Sequence, residues 1–219
     1  VKALGRQGLV RVDGRLAASA EDKLDPAAAI ITVAGETIAL HRFTYVLLHK
    51  PAGLLTATED RKQPTVLDLL PPELRRIGLA PVGRLDKDTE GLLLLTNDGE
   101  LAHRLLSPKY HVEKRYLARV DGELSAADTE VFARGMTLGD GLECLPAGLE
   151  LLPGHACIVT LREGKFHQVK RMLAARGAPV LYLKRLSMGP LVLEDSLAAG
   201  AYRLLRAEEI LALYRACGL

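Results

Sequence analysis

The stretch PVGRLDKDTEGLLLLTNDG, Pro81 to Gly99, sets four carboxylates, Asp86, Asp88, Glu90 and Asp98, around four consecutive leucines. Acids against so apolar a run can ligate a metal, carry a phosphoryl group, act as a nucleophile or general base, or cap turns. The spacing DKDTEG matches the start of an EF-hand loop, with acids at the first, third and fifth positions and Gly91 at the sixth. The twelfth position is Asn97, where bidentate coordination needs Glu, so the match fails where it is most demanding. An aspartyl-phosphate site would read Asp-x-Asp-x-Thr, and here Thr89 comes one position early. Gly164-Lys165 is followed by Phe166 and lacks the upstream glycine of a P-loop. A carboxylate can instead attack an electrophilic carbon. Such a group needs a cation nearby to counter burial. Arg84 is close in sequence, and Lys170 and Arg171 come from a strongly basic segment. Gly83 and Gly91 would let the loop turn sharply under a bulky ligand. Turn capping by Asp86 and Asp88 stands beside this reading, because that is what most loop aspartates do.

Bulk properties narrow the classes. The chain has 219 residues, 48% hydrophobic and 26% charged, as in globular proteins of one large domain or one domain with a small partner. No apolar run reaches the roughly 18–20 residues of a membrane span, and no signal peptide is visible. The chain opens on Val1, which points to the loss of a native N-terminus. Three widely spaced cysteines, Cys144, Cys157 and Cys217, argue against a disulfide framework or a zinc site and for a reducing cytoplasm. The six histidines show no paired ligand spacing. Net charge is +2 but uneven. Residues 162–185 carry seven Lys/Arg against one acid, residues 104–119 five against one, and residues 121–150 one against seven. Two basic segments suggest a positive face that could meet a polyanion.

The elements that must position these groups can be read from pattern. LVRVDGRLA reads as a hairpin, with Val10, Val12 and Leu16 flanking an Asp13-Gly14 turn. AIITVAG is a second short strand ending at Gly35. From about Arg42 a larger domain begins. YVLLHKP, GLLLLT, RYLARV and ACIVTLRE read as strands. TVLDLLP, the stretch Ser125 to Arg134, HQVKRMLAARG and AEEILALYRA read as helices, the second with Ser125 as N-cap and Gly135 closing it. Short strands with few helices favour a mixed, mainly antiparallel sheet and an α+β fold.

Several motifs in order then carry a resemblance. GRLDKDTEGLLLLTNDG closely resembles the signature of the ribosomal pseudouridine synthases of the small-subunit type. LHKPAGLLTAT is similar to their opening strand and Lys-Pro-x-Gly turn, SPKYHVEKRYLARV to their second motif, and EGKFHQVKRMLAARG to their third. The resemblance covers about residues 42 to 215. RQGLVRVDGRLAASAEDKL resembles the second half of an S4 RNA-binding module. The resemblance thus implies two domains, a truncated S4-like α/β module at residues 1–41 and a pseudouridine synthase catalytic fold at 42–219.

By resemblance, Asp86 is the catalytic carboxylate, and Asp88 and Glu90 shape the loop. The implied reaction detaches uracil from C1′ of a uridine, turns the base over and rejoins it through C5. No redox change and no net hydrolysis occur, so neither cofactor nor metal is expected. The motif tyrosine falls on Tyr116, whose ring could stack on the extruded base and whose phenol could help move the C5 proton. The basic residue of the third motif falls on Lys170, beside the carboxylate. Arg84, Lys114, Arg115, Lys165, His167 and Arg171 are expected to contact RNA, as are Arg6, Arg11 and Arg15 of the S4-like piece; Arg176 reads as a further phosphate contact. The implied partner is ribosomal RNA and the implied place the cytoplasm. GKFHQVKRM and the Glu-Lys-x-Tyr form of the second motif resemble the enzyme acting at uridine 516 of 16S rRNA. Large-subunit 23S enzymes and a non-catalytic RNA-binding assembly factor are the alternatives.

Overall fold

The computed structural model describes residues 4–5, 7–17, 19, 29–38 and 42–219. The chain divides into two compact units, Val1–Thr44 and Tyr45–Leu219. In the first, strands β1 (Val10–Val12), β2 (Arg15–Leu16), β3 (Ile31–Val33) and β4 (Glu36–Ile38) form a sheet of order β2-β1-β3-β4. The expected hairpin is there: Arg11 pairs with Leu16 and Val12 with Arg15. Asp13 and Gly14 both take positive φ, 49° and 78°, as a two-residue turn with the right twist requires. Ala34 and Gly35 repeat the device and lead into β4, which the sequence reading stopped short of. Residues 1–3, 6, 18, 20–28 and 39–41 lie outside the described residues, and with them part of the S4-like motif.

The second unit is built on a nine-stranded sheet. Its strands are β5 (Tyr45–Lys50), β6 (Ala80–Pro81), β7 (Glu90–Thr96), β8 (Lys114–Val120), β11 (Gly148–Leu152), β12 (Ala156–Leu161), β13 (Val180–Met188), β14 (Leu191–Val192) and β15 (Tyr202–Leu204). A separate ribbon pairs β9 (Met136–Thr137) with β10 (Glu143–Cys144). The main order is β11-β12-β8-β13-β7-β5-β15, with β6 on β7 and β14 on β13. Among its strands only β7 and β13 run parallel, paired through Lys184 with Glu90 and Arg185 with Gly91. The fold is therefore α+β with a mixed, mainly antiparallel sheet.

The leucine run lies at the centre of this sheet. Leu92 to Leu95 are each fully buried, as are Val46, Leu47 and Leu48 of the neighbouring β5. Alternate residues of a strand point to opposite faces, so both faces of β5 and β7 are covered and the run is continuous rather than alternating. Each buried leucine contributes roughly 1.5–3 kcal/mol of transfer free energy.

Five α-helices complete the unit: α1 (Pro72–Arg75), α2 (Gly99–Leu106), α3 (Ala126–Arg134), α4 (Gln168–Ala174) and α5 (Ala207–Ala216). The segment TVLDLLP, read as a helix, is a single 3₁₀ turn at Val66–Leu69. Asp98 settles one of the four opening acids. It is the N-cap of α2, accepting from Leu101 N at 3.1 Å, and it also accepts the hydroxyls of Tyr45 (2.9 Å) and Tyr214. That cluster ties β5 to the start of α2 and to α5. α3 carries the expected capping box, in which Asp128 accepts from Ser125 N at 2.8 Å.

Candidate active site

The loop between β6 and β7 carries Asp86, and its backbone is held from both sides. On one side the Thr56 hydroxyl donates to Leu85 O at 2.7 Å and accepts from Leu85 N at 3.2 Å. On the other, the fully buried Lys50 ammonium donates to the carbonyls of Pro51 (3.0 Å), Lys87 (3.2 Å) and Thr89 (2.8 Å). Burial pushes Lys50 down to about 8, against the pull of Asp88, Asp86 and Glu90. Thr89 N donates to Asp86 O at 3.1 Å, closing the turn that contains both acids. The loop is thus fixed through main-chain groups, and its carboxylates remain available to other partners.

Those partners differ from acid to acid. Lys170, from α4, stands 3.0 Å from Asp86 Oδ2 and 2.6 Å from Asp88 Oδ1. His167 Nε2 lies 3.4 Å from Asp86 Oδ1. Glu90 instead accepts the Tyr182 hydroxyl at 2.8 Å. The Lys170 hydrogen bond holds the Asp88 carboxyl below the usual range. Burial alone would lower the Lys170 ammonium, but its hydrogen bonds to Asp88 and Asp86 outweigh this and raise it.

Gly91 serves a different purpose from the one expected. Its φ is 111°, and a Cβ there would lie 2.3 Å from Arg185 O. The residue is required by the close parallel approach of β13, not by a ligand.

Asp86, Tyr116 and Lys170 line one cleft of about 450 Å³ of empty volume, partly open to solvent, together with Arg84, Thr89 and Leu183. Tyr116 is 8% exposed, on the central strand β8 between β12 and β13. It belongs to the hydrophobic core and to the cleft wall at once. Burial in the core fixes the ring beside the cleft. A wider groove continues outward past Asp86, lined by Lys87, Lys114, Phe166 and His167 among others.

The other basic residues separate into two groups. Arg84, Lys165 and His167 line both cavities. Lys165 leans on buried Glu163 at 3.3 Å and donates to Glu143 O. Lys114, expected to contact RNA, is 5% exposed and donates to Val112 O at 3.0 Å. Its place on β8, two residues before Tyr116, turns it inward to the floor of the groove. Burial, reinforced by the Arg185 charge, pushes its ammonium down to about 8. Arg115 alternates to the opposite face of β8 and pairs with Glu150 at 3.4 Å. Arg171 pairs with Asp140 at 2.5 Å and Arg176 with Asp128 at 2.7 Å. The acidic segment 121–150 therefore neutralises part of both basic ones, and the positive face is narrower than the charge runs suggest. Arg11 donates to Gly14 O at 3.0 Å and Arg15 is exposed, both in the first unit; Arg6 lies outside the described residues.

Sequence reasoning missed the supports. Glu163 and Gln168 are both buried, and Gln168 Nε2 donates to Glu163 Oε1 at 2.6 Å. Gln168 Oε1 accepts from Lys165 N at 3.0 Å, and Glu163 Oε1 accepts from Leu145 N at 2.8 Å. This network anchors the loop before α4 and hence Lys170. Its only signal was a polar pair five residues apart flanking the glycine-containing turn. Among the described residues no group of three or more His, Cys, Asp or Glu is placed to hold a metal ion, and no helix is long and apolar enough to cross a membrane.

Comparison with known proteins agrees with this fold. Residues 44–175 match the RNA pseudouridylate synthase family model. An uncharacterized RNA pseudouridine synthase of Bacillus subtilis, YtzG, is 47% identical over 96% of this chain and 90% of its own length. The ribosomal small subunit pseudouridine synthase A of Vibrio cholerae is 39% identical over 96% of this chain and 90% of its own. A crystal structure of a pseudouridylate synthase superposes with a TM-score of 0.74 at 36% identity, covering 96% of this chain and 91% of that one. With the loop of acids inside the matched region and relatives 39–47% identical over nearly its whole length, the chain belongs to the RNA pseudouridylate synthase family.

Proposed function

We propose that the chain isomerises uridine 516 of 16S rRNA to pseudouridine, with Asp86 as the catalytic carboxylate. The observation that carries the site assignment is the 3.0 Å contact between Lys170 and Asp86 in a cleft that Tyr116 also lines. The 16S target is supported by the GKFHQVKRM and Glu-Lys-x-Tyr motifs and by the small-subunit relative at 39% identity.

The target base must leave its helix to reach Asp86. Extrusion costs a few kcal/mol, offset by phosphate contacts and stacking in the pocket. Tyr116 supplies a wall for the flipped uracil. The N1–C1′ bond then breaks and the C5–C1′ bond forms; the C5 proton is lost and N1 gains one, so atoms balance without a co-reactant. Two routes begin at Asp86, attack on C1′ or removal of the 2′ proton to give a glycal, and both need its oxygen held at the sugar. Lys170 and the turn closed by Thr89 N hold it there. The Tyr116 phenol helps move the C5 proton, a role supported by its place in the cleft lining. Residues 1–41 act as an S4-like module that grips RNA through Arg6, Arg11 and Arg15, and Arg84, Lys165 and His167 meet RNA at the cleft.

Incubation of the full chain with unmodified 16S and 23S transcripts, followed by chemical mapping of pseudouridine, tests this reading. Product at uridine 516 alone is expected. Product only in 23S transcript would overturn the target. Activity retained by Asp86→Asn would overturn the assignment of the carboxylate.

A further inference from the structure

The loop that precedes α4 presents a feature the reaction leaves unused. Phe166 is 70% exposed, in a chain with three Phe and no Trp. Its ring stacks on His167 with centroids 3.8 Å apart and planes at 19°. His167 in turn stands 3.4 Å from Asp86 and lines both the inner cleft and the outer groove, whereas Phe166 lines the groove alone. The two rings therefore run outward from the candidate carboxylate as consecutive layers, and the outer face of the last layer is open.

The backbone around the rings is pinned. His167 adopts φ 49°, ψ 32°, a left-handed conformation uncommon for a non-glycine residue. The next residue, Gln168, is buried, bonded to Glu163 and to Lys165 N, which fixes the loop on both sides of the ring pair. The ring pair is thus set before any ligand arrives, which lowers the entropy lost on binding. The groove beside it also carries Arg84, Lys87 and Lys165, a setting complementary to a phosphate backbone.

We infer that the Phe166–His167 pair is a stacking platform for the unpaired base adjacent to the target uridine. The inference rests on the reading of the cleft as the uridine site. With the target base in the inner cleft, the next nucleotide along the backbone falls in the groove, where it finds an aromatic face and cations for its phosphate. Aromatic plates serve single-stranded RNA because every base has a π-face. The platform therefore selects for an unstacked neighbour rather than for one base identity.

The test uses the full chain and the transcript on which the wild type forms pseudouridine, with 2-aminopurine placed in turn on each side of the modified uridine. The wild type should quench the fluorophore on one side. Phe166→Ala should abolish that quenching and raise KM roughly tenfold with kcat within about threefold. Phe166→Tyr should restore both. Equal quenching and KM in the wild type and Phe166→Ala would overturn the platform. A defect confined to assembled ribosomal particles and absent on naked RNA would also overturn it, in favour of a protein contact. Because the fluorophore follows the uridine actually modified, modification of 23S rather than 16S transcript would sink the target reading while leaving the platform to stand or fall separately.

Discussion

The ammonium of Lys170 stands 3.0 Å from the carboxylate of Asp86, although 84 positions of chain separate the two residues. The same ammonium holds Asp88 at 2.6 Å, so one cation fixes both acids of the turn. Asp88 is largely exposed and Asp86 faces the cleft. Asp86→Asn should abolish pseudouridine formation while RNA affinity stays within about threefold. Lys170→Met should lower kcat on the order of 10²-fold, by analogy with loss of one preorganised electrostatic partner. Lys170→Arg should recover part of that loss, and Asp88→Asn should cost less than either. Single-turnover kinetics on a transcript substrate would check the order.

Gly91 offers a test of the fold. A methyl group there would meet the Arg185 backbone. Gly91→Ala should destabilise the chain by about 3 kcal/mol or more, combining overpacking with a disfavoured φ. Gly164→Ala, in open space, should change stability by less than about 1 kcal/mol. Urea unfolding of the two variants would compare them directly, and equal midpoints would contradict the close approach of β7 and β13.

Lys114 makes stability depend on pH. Its ammonium is pushed from the ordinary 10.5 to about 8 by burial and by Arg185. Below pH 8 it is charged in both folded and unfolded chains, and the folded chain bears the desolvation cost. Between pH 8 and 10.5 the unfolded chain binds more protons, so stability from this group rises with pH. Lys114→Met should therefore stabilise the protein near pH 7, by up to about 3 kcal/mol, and the advantage should vanish as pH climbs to 10.5. Paired thermal melts of wild type and variant across that window would show it. A pH-independent difference would mean the ammonium is better solvated than its burial implies.

The ion pairs predict which arginines matter for RNA. Arg84 faces the cleft, whereas Arg115 and Arg176 are engaged by Glu150 and Asp128. Affinity should fall as salt rises, because phosphate contacts release counterions. Arg84→Ala should weaken binding and reduce the slope of log affinity against log salt by about 1. Arg115→Ala and Arg176→Ala should leave the slope unchanged. Filter binding at several salt concentrations would separate them, and equal slopes for all three would mean that the cleft cations do not meet phosphate.

Much of the scaffold was legible in residue pattern. The Asp13-Gly14 turn, the Ser125–Asp128 capping box and the Leu92–Leu95 strand are local signals, set by φ preference, side-chain reach and burial over a few residues. The strand β13 was not read, since Val180 to Met188 mixes Lys184 and Arg185 into an apolar run and its pairing is decided by β7 and β8 far away in sequence. α2 was missed because Asp98 was weighed as chemistry before it was weighed as a cap. Resemblance named Asp86, Tyr116 and Lys170, which the structure lines up along one cleft. It could not tell that Lys114 turns inward or that Arg171 and Arg176 are claimed by acids, because those outcomes depend on strand parity and on how segment 121–150 folds back.

The seam between β7 and β13 governs how durable the site is. Two antiparallel ribbons, one ending in β13 and the other beginning at β7, share two registered residue pairs, and Arg185 Nε and the Tyr182 hydroxyl reach across the join to Leu92 O and Glu90. Asp86 lies on the loop that leads into β7, Tyr116 on β8, and Lys170 on α4, which leads into β13. Neither half can therefore mature into a working enzyme by itself, and a slight parting at the join under heat or urea would silence the chemistry while most of each ribbon still held its shape.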